Sequence, residues 1–272
     1  MTTPTALDFP AQTVLITGAS AGIGAEFAHQ LAARGSDLVL VARRADRLRA
    51  LADQLAATYG VRALALPADL SEPGIGERLR TRTAEAGFAV TGVVNNAGFA
   101  NHGLLHEARL SDLQREIAVD VSSVVEITHA FLPQLRARRD GFVVNVASMS
   151  AYAANPTMAV YAATKAFVLS FTEGVWFESR GTGVRVMALV PGATETEFFQ
   201  VAGEAAGGGA RRMSAEAVAR TALTAIARRT PPVTVIAGTS NRLSAIATRL
   251  AGRRRMTEFV GRLMMRDQPV RA

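Results

Sequence analysis

The sequence contains no cysteine among its 272 residues, which excludes disulfides, thiol nucleophiles and thiolate metal sites. It also lacks an apolar run long enough to span a bilayer and, near its start, the basic and apolar segments of a secretory signal. Its four histidines, at positions 29, 102, 106 and 129, are not spaced like metal ligands. With 49% hydrophobic residues and no low-complexity tract, the chain is predicted to form one cytoplasmic, metal-free α/β domain over residues 1–272.

Lysine is almost absent. Lys165 is the only one, and arginine supplies every other strong cation. Residues 1–200 carry 17 Lys and Arg against 19 Asp and Glu, whereas residues 201–272 carry 13 Arg against 4 acidic residues. A basic C-terminal region is compatible with a solvated surface, an anionic membrane surface, nucleic acid or an acidic partner, and we favour the solvated surface.

The single lysine belongs to the motif Y-A-A-T-K, in an alanine-rich segment with strong helix propensity. Tyr161 and Lys165 are four residues apart, so their side chains share one face of that helix. An ammonium beside a phenol favours the phenolate and lowers the tyrosine pKa from about 10 towards neutrality. Ser148 follows the apolar run 142–147, which predicts a position at the carboxyl end of a buried strand, where open α/β sheets bind ligands. The three residues are a candidate acid–base site, although a lysine on a solvated helix face would give the same spacing.

A glycine-rich turn lies near the N-terminus. The β-rich run 12–17 leads into T-G-A-S-A-G-I-G, and an amphipathic helix follows. This order presents backbone N–H groups and a helix N-terminus to a pyrophosphate. The spacing G-x-x-x-G-x-G differs from G-x-G-x-x-G, but its place between a strand and a helix makes it informative. The candidate cofactor-binding residues here are Gly18, Ser20, Gly22, Ile23 and Gly24.

The second predicted strand, 37–41, ends in A-R-R. An NAD-binding unit places an acidic residue near this point to bind the ribose 2′-hydroxyl. Arg43 and Arg44 would instead bind a 2′-phosphate, because guanidinium groups form bidentate hydrogen bonds with phosphate. The sequence therefore favours NADP(H) over NAD(H). The alternative is that Arg44 and Arg47 begin a solvated helix, which is our interpretation of Arg47.

Three further apolar runs, 61–66, 90–94 and 184–190, lead into the loop motifs A-D-L, N-N-A-G and P-G-A-T-E-T. Strands that alternate with helices predict a parallel, doubly wound α/β sheet with right-handed crossovers. The carboxyl ends of its strands would carry the rest of the cofactor site. Those candidate residues are Asp69, Leu70, Asn96, Ala97, Gly98, Pro191, Gly192, Thr194 and Thr196.

In their order and spacing, T-G-A-S-A-G-I-G, N-N-A-G, Ser148, Y-A-A-T-K and P-G-A-T-E-T resemble the short-chain dehydrogenase/reductase family over residues 11–238. The resemblance implies a Rossmann fold with about seven strands, NAD(P)-dependent oxidoreductase activity, and a homodimer or homotetramer. It also implies roles for three residues. Tyr161 would be the general acid/base, Lys165 would lower its pKa and hydrogen-bond the nicotinamide ribose, and Ser148 would orient the substrate oxygen.

One position departs from the family's pattern. Asp120 stands thirteen residues before Pro133, in a helix predicted over 110–138, where the family usually has an asparagine that supports a water leading to the lysine. An ionised aspartate accepts hydrogen bonds but cannot donate one. The usual proton relay is therefore in question, and we interpret Asp120 as a tolerated variation among the catalytic residues of an active enzyme.

Residues 198–213 contain three consecutive glycines and are predicted to form a mobile lid over the substrate, with a flexible linker as the alternative. Large apolar side chains on this lid and on the strand-end loops favour a medium or large apolar ketone, aldehyde or alcohol as substrate. They are Phe99, Met149, Met158, Phe198, Phe199 and Met213.

Residues 240–272 form a basic C-terminal extension in which leucine, isoleucine and phenylalanine recur among arginines at helical spacing. Such helices can pack on the domain and close the pocket, which we favour, or lie weakly on an anionic membrane surface. Nucleic acid is not an expected partner, because aromatic residues are not interleaved with the basic ones.

Two functional hypotheses follow. The first is an NADP(H)-dependent oxidoreductase that interconverts a carbonyl and an alcohol on an apolar small molecule. The second is a catalytically weak, NADP(H)-binding regulatory protein that associates with a partner or a membrane. Asp120 and the basic C-terminal extension motivate the second hypothesis.

Overall fold

The computed structural model describes residues 6–198, 203 and 211–265, and its centre is one parallel sheet of seven strands. Within these residues the strands are β1 (Thr13–Thr17), β2 (Asp37–Ala42), β3 (Ala63–Pro67), β4 (Gly92–Asn95), β5 (Phe142–Val146), β6 (Arg185–Val190), β7 (Thr194–Glu195), β8 (Met213–Ser214) and β9 (Thr234–Ile236). The central sheet has the order β3-β2-β1-β4-β5-β6-β9, while β7 and β8 pair only with each other. The predicted parallel, doubly wound sheet is confirmed.

Helices cover both faces of the sheet. They are α1 (Gly22–Ala32), α2 (Ala45–Tyr59), α3 (Ile75–Glu85), α4 (Leu110–Ile117), α5 (Ser123–Arg138), α6 (Ala159–Glu178), α7 (Ala215–Ile226), α8 (Thr239–Ala251) and α9 (Arg253–Met264). Apolar residues of α1, α2 and α7 pack on one face around Phe27, and those of α3 and α5 pack on the other around Phe131. Strands buried on both faces read as continuous apolar runs, and this explains why the sequence revealed them so clearly.

A buried polar chain connects the middle of the sheet to two helices. The Asn95 side chain donates to Asn145 Oδ1 at 2.9 Å and to Thr128 Oγ1 at 3.1 Å. Asn145 in turn donates to Thr172 Oγ1 on α6 at 3.0 Å. Because unpaired amides are costly inside a protein, these bonds fix the carboxyl ends of β4 and β5 relative to α5 and α6.

The predicted helix over 110–138 is interrupted. One widened, π-helical turn, Ala118–Ser122, separates α4 from α5, and Asp120 lies within it. An extra residue in a helical turn rotates the side chains that follow, and such turns are frequent at functional sites. The sequence pattern did not reveal this turn, because an inserted residue leaves the apolar periodicity on either side intact.

The C-terminal extension forms two amphipathic helices in the described residues. On α8, Leu243, Ile246 and Leu250 are exposed, whereas Gly261 of α9 lies against Pro156 on the body of the domain. In the part of the chain that the structure describes, no helix is both long and apolar enough to cross a membrane. The two helices thus differ: α9 packs on the domain, and α8 leaves an apolar stripe in contact with solvent.

Candidate active site

A cavity of about 550 Å³ opens at the carboxyl ends of the central strands, near the point where the strand order reverses between β1 and β4. Ligands bind at this point in open α/β sheets. Every candidate site residue named from the sequence lines the cavity except Gly24 and Asp120, which lie outside its lining. Chain folding thus brings motifs from the ends of six strands, β1 to β6, into one site.

The acid–base residues meet at one end of this cavity. Ser148 follows β5 and caps a short helical turn, where its Oγ accepts a hydrogen bond from the Ser150 amide at 3.2 Å. Tyr161 lies in the first turn of α6 with Lys165 one turn later, and both are buried. Ser148 is close enough to the Tyr161 hydroxyl to favour its ionised form. The spacing seen in the sequence therefore corresponds to a real cluster.

The electrostatics of Tyr161 depart from the expectation. Burial raises the pKa of its hydroxyl, while the Lys165 charge and the nearby Ser148 side chain lower it. Two carboxylates, Asp120 and Glu116, act in the same direction as burial, and the net pKa lies above the usual value. The lysine acts in the predicted sense, but burial and two nearby carboxylates outweigh it.

Asp120 forms a direct ion pair with Lys165, its Oδ2 lying 3.0 Å from Nζ with both side chains buried. Its Oδ1 accepts a hydrogen bond from the Phe99 amide at 3.1 Å. Gly98 makes room for the pair, because a Cβ there would lie 2.9 Å from both Lys165 Nζ and Asp120 Oδ2. Burial raises the pKa of the Asp120 carboxyl and Lys165 opposes that rise. A direct charge–charge contact therefore stands at the position of the family's asparagine.

Glu116 is a site residue that the sequence analysis missed. It is fully buried at the end of α4, four residues before Asp120. Its Oε2 accepts two hydrogen bonds from Asn101, from the amide at 3.0 Å and from Nδ2 at 2.7 Å. Its Oε1 is buried and has no hydrogen-bond partner among the described residues. The E-x-x-x-D spacing is the one sequence signal that could have drawn attention to it.

The glycine turn fits the pyrophosphate of a dinucleotide. Gly18 has a φ of +68°, and a Cβ there would lie 2.8 Å from Asn96 Nδ2. The N-terminus of α1 has no side-chain cap, so its amides remain available to an anion. The Asn96 side chain donates to the Thr17 carbonyl at 2.9 Å, and Thr17 Oγ1 accepts from the Asn96 amide at 2.9 Å. These bonds hold the two strand-end loops together, as the N-N-A-G motif suggested.

Arginine side chains surround the neighbouring end of the cavity. Arg44 donates to Ser20 Oγ from Nη2 at 2.9 Å and from Nε at 3.1 Å, and its Nη1 lies 2.6 Å from Glu197 Oε2. Arg47 also pairs with Glu197 at 2.6 Å, so it is exposed but not merely solvated. Arg43 lines the cavity and makes no hydrogen bond or ion pair with other described residues. Two guanidinium groups and a hydroxyl are the groups that a 2′-phosphate requires.

Asp69 and Leu70 form the adjoining wall, next to the end of β3. The Asp69 carboxylate accepts from the Ser71 hydroxyl at 2.8 Å and from Arg115 Nη2 at 2.8 Å. Partial burial raises the pKa of Asp69, but these hydrogen bonds and the Arg115 charge leave it below its usual value. Asp69 is thus an ionised, fixed acceptor at the rim of the cavity.

The opposite wall, around the Tyr161 ring, is apolar. The rings of Tyr161 and Phe198 are 5.4 Å apart, and Met158 is buried beside them. Helix α9 contributes to this wall as well. The large apolar residues that line the cavity are Phe99, Met149, Met158, Phe198, Leu263 and Met264.

The prediction that lid residues line the cavity does not hold for Met213 and stays untested for Phe199. Met213 was expected on the inner side of the lid, but it packs against the core on the α1 side of the sheet, with its sulfur near Asn241. The pairing of β8 with β7 fixes it there. Phe199, together with most of the predicted lid, lies outside the described residues.

The fold and this site are those of a dinucleotide-dependent oxidoreductase, with a glycine-rich turn and a buried Tyr161–Lys165 pair at a strand-order reversal. A family model described as short chain dehydrogenase matches residues 12–207. The chain belongs to the short-chain dehydrogenase/reductase family.

Individual relatives agree with this placement. Sulfoacetaldehyde reductase of Chromohalobacter salexigens is 39% identical over 191 residues, which are 69% of this chain and 74% of that protein. The 7beta-hydroxysteroid dehydrogenase of Collinsella aerofaciens is 34% identical over 182 residues, 67% of this chain and 68% of that protein. A solved short-chain dehydrogenase from Sphingobium yanoikuyae in complex with NADPH has a TM-score of 0.78 and 35% identity, covering 87% of this chain and 92% of that one. The protein is an NAD(P)-dependent oxidoreductase that acts on alcohol and carbonyl groups.

Proposed function

We propose that the protein is an NADP(H)-dependent enzyme that interconverts a ketone or aldehyde and an alcohol on a medium or large apolar substrate. The observation that carries this proposal is the position of the Tyr161 hydroxyl. Tyr161 lines one end of a cavity together with Ser148 and Lys165, and the adjoining wall is formed by large apolar side chains. An apolar wall with a few convergent polar groups is typical of a site that binds an apolar molecule by one oxygen.

When bound, the cofactor supplies or accepts the hydride. Tyr161 gives a proton to the substrate oxygen during carbonyl reduction and takes one during alcohol oxidation. Ser148 lines the same end of the cavity, and its hydroxyl can donate a hydrogen bond to the same substrate oxygen. Lys165 places a positive charge next to the tyrosine ring, its Nζ lying 5.5 Å from the ring centroid, and so stabilises the phenolate that proton donation leaves behind.

The preference for NADP(H) is supported by Arg43, Arg44 and Ser20 at the phosphate end of the cavity. No acidic residue follows β2 directly to bind the 2′-hydroxyl or repel a phosphate. The Glu197 carboxylate lies 2.6 Å from the Arg44 guanidinium. It therefore competes with a 2′-phosphate for this arginine. The NADPH complex of the Sphingobium yanoikuyae relative is consistent with this preference.

The apolar substrate is supported by Phe198 against the tyrosine ring and by Leu263 and Met264 from α9. The relatives include a sulfoacetaldehyde reductase and a 7beta-hydroxysteroid dehydrogenase, so family membership leaves the size of the substrate open. The lining in this chain favours the larger, less polar end of that range.

Replacement of Tyr161 tests the proposal. Tyr161→Phe should lower turnover of apolar ketones by at least about a hundredfold, because it removes the proton donor. NADPH affinity, measured by calorimetric titration, should change little. Tyr59→Phe on α2 is the matched control, because Tyr59 is exposed and lies outside the cavity lining. Undiminished turnover in Tyr161→Phe would refute the assignment.

A catalytically weak regulatory protein is the second candidate, and the Asp120–Lys165 ion pair is the observation that favours it. The carboxylate neutralises the lysine charge that would otherwise favour the phenolate. NADPH binding with no turnover over a panel of small and bulky ketones and alcohols, in both directions, would favour this candidate.

We infer two further contacts for the folded chain. Exposed Phe167 and Phe177 on α6 support a homo-oligomer, which sedimentation analysis would detect. On α8, the exposed Leu243 and Leu250, near the arginines at 253–255, support a weak contact with an anionic membrane surface. Co-sedimentation with anionic but not neutral vesicles is the expected result, and equal binding to both would contradict it.

A further inference from the structure

We propose that Glu116 is a positioning residue which holds one proton jointly with Asp120, so that the two carboxylates together set the charge that Lys165 presents to Tyr161. The inference rests on the proposed acid–base role of Tyr161. It goes beyond that role, because it assigns a residue outside the cavity lining to the control of the tyrosine.

The geometry places two carboxylates and one ammonium in a single buried cluster. Glu116 and Asp120 are four residues apart on consecutive helical turns, and neither is accessible to solvent. Asp120 Oδ2 lies 3.0 Å from Lys165 Nζ, and Lys165 also donates to the Val146 carbonyl at 3.4 Å. One lysine can balance one carboxylate. The second carboxylate is then an uncompensated buried charge, unless it carries a proton.

The hydrogen bonds of Glu116 indicate where that proton can reside. Both bonds from Asn101 go to Oε2, whereas Oε1 is buried without a partner among the described residues. A carboxylate oxygen in that condition is costly, and a carboxyl O–H at the same place is much less so. Burial, followed by the nearby Asp120 charge, raises the pKa of Glu116, while Asn101 and Lys165 lower it.

Among the described residues, few other charged groups act on Glu116. Lys165 and Tyr161 act on Glu116 from α6, and Asp120 acts from the widened turn. The remaining charged neighbours on α4 have separate partners. Asp112 pairs with Arg109 at 2.8 Å, and Arg115 pairs with Asp69 at 2.8 Å.

The consequence for Tyr161 has a definite sign. When Glu116 and Asp120 share one proton, they carry a single negative charge between them, and the Lys165 ammonium cancels it. When that proton is lost at higher pH, the cluster carries a net negative charge beside the phenol and opposes its ionisation. The neutral tyrosine, which is the proton donor in carbonyl reduction, therefore persists to higher pH than it would with Lys165 alone.

Titration of the phenol tests this without any turnover. The chain has three tyrosines, so the near-ultraviolet absorbance change of Tyr161→Phe, subtracted from that of the parent, isolates Tyr161. The same subtraction is made with Glu116→Gln, alone and combined with Tyr161→Phe. Glutamine keeps an acceptor oxygen for Asn101 but carries no negative charge. The midpoint of Tyr161 ionisation should then fall by about one pH unit, as expected when a nearby like charge is removed.

Two more variants complete the test. Asp120→Asn also removes one negative charge and should lower the midpoint at least as far as Glu116→Gln, which keeps the test informative if the latter folds poorly. Asp112→Asn is the matched control, because Asp112 is a carboxylate on the same helix with its own arginine. The midpoint of Tyr161 ionisation in Asp112→Asn should equal that in the parent protein.

Turnover provides the second measurement. For carbonyl reduction, the pH at which kcat falls on the alkaline side should be lower by about one unit in Glu116→Gln, with KM little changed. A merely structural role for Glu116 would leave both the phenol midpoint and the pH of this fall unmoved, and that outcome would overturn the inference. If Tyr161→Phe retains turnover while Glu116→Gln still lowers the midpoint, the charge control stands and the proposed function fails.

Discussion

Two ion pairs in this site have the same chemistry and opposite surroundings. Arg44 and Glu197 lie 2.6 Å apart, but their side chains are 43% and 37% exposed. Lys165 and Asp120 lie 3.0 Å apart, and theirs are 5% and 0% exposed. Exposure, and not distance, decides what each pair can do. Water replaces a partner easily at the surface, so Glu197 can yield to a phosphate, whereas a buried charge has no substitute for its partner.

Removing the carboxylate from each pair should give the largest expected difference, which is in the free energy of unfolding. Asp120→Ala removes the direct ion-pair partner of the buried Lys165 and leaves only the more remote Glu116 to balance its charge, and we expect a loss of up to about 5 kcal/mol in the free energy of unfolding at neutral pH. Glu197→Ala leaves two exposed arginines that water can solvate, and we expect a loss of about 0–1 kcal/mol. Chemical denaturation monitored by circular dichroism provides both values.

Asp120→Asn is the control for the first measurement, because it keeps an acceptor for the Phe99 amide while removing the charge. An equal loss for Asp120→Ala and Glu197→Ala would show that burial does not distinguish the two pairs.

The exposed pair should matter more for cofactor choice. Arg44→Ala is expected to weaken NADPH binding by roughly tenfold or more, since a charge-assisted contact to phosphate is lost, and to change NADH binding far less. Arg43→Ala should act in the same direction. Glu197→Gln should strengthen NADPH binding, because it removes the carboxylate that competes for Arg44.

Calorimetric titration with both cofactors measures these effects. Arg49→Ala is a suitable control, because Arg49 lies on the same helix and pairs with Asp46 at 2.8 Å. Equal losses for NADPH and NADH in Arg44→Ala would mean that this arginine does not contact the 2′-phosphate.

The smallest expected difference is in the pH dependence of stability. Burial raises the pKa of Glu116 above its ordinary 4.5, so the parent loses stability relative to Glu116→Gln as the pH rises from 5 to 8. Hydrogen bonds from Arg44 and Arg47 lower the pKa of Glu197, so its contribution is complete above 4.5 and is lost only as the pH falls further.

Unfolding free energies of the parent, Glu116→Gln and Glu197→Gln across this range would distinguish the two. We expect the advantage of Glu116→Gln to grow with pH while the offset of Glu197→Gln stays constant. A Glu116→Gln curve parallel to that of the parent would contradict the pKa direction assigned to Glu116.

Much of the fold could be predicted because buried parallel strands are continuous apolar runs. The predicted strand 184–190 and the observed Arg185–Val190 differ by a single residue. The site residues followed from the same logic, since side chains just beyond strands β1, β4 and β5 must meet at one edge of the sheet. Gly18 and Ser148 were located in this way, whereas Tyr161 was identified by its helical spacing from Lys165.

Other features depend on contacts that have no local signature. The widened turn around Asp120 and the burial of Glu116 arise from packing of α4 against α6. The position of Met213 depends on its strand pairing with β7, and the return of α9 to the cavity depends on contacts such as that of Gly261 with Pro156. In each case the side chain's partner is remote in the sequence.

The sequence by itself determined the class of protein: the sheet, the glycine-rich turn, and the serine, tyrosine and lysine of the candidate acid–base site. Each of these depends on short-range rules of periodicity, spacing and strand ends. Only the tertiary structure decided the charge around the tyrosine, because that charge depends on which carboxylates are buried within reach of Lys165. Burial and distance between remote residues are properties of the folded chain, and they determine the charge around the tyrosine in this protein.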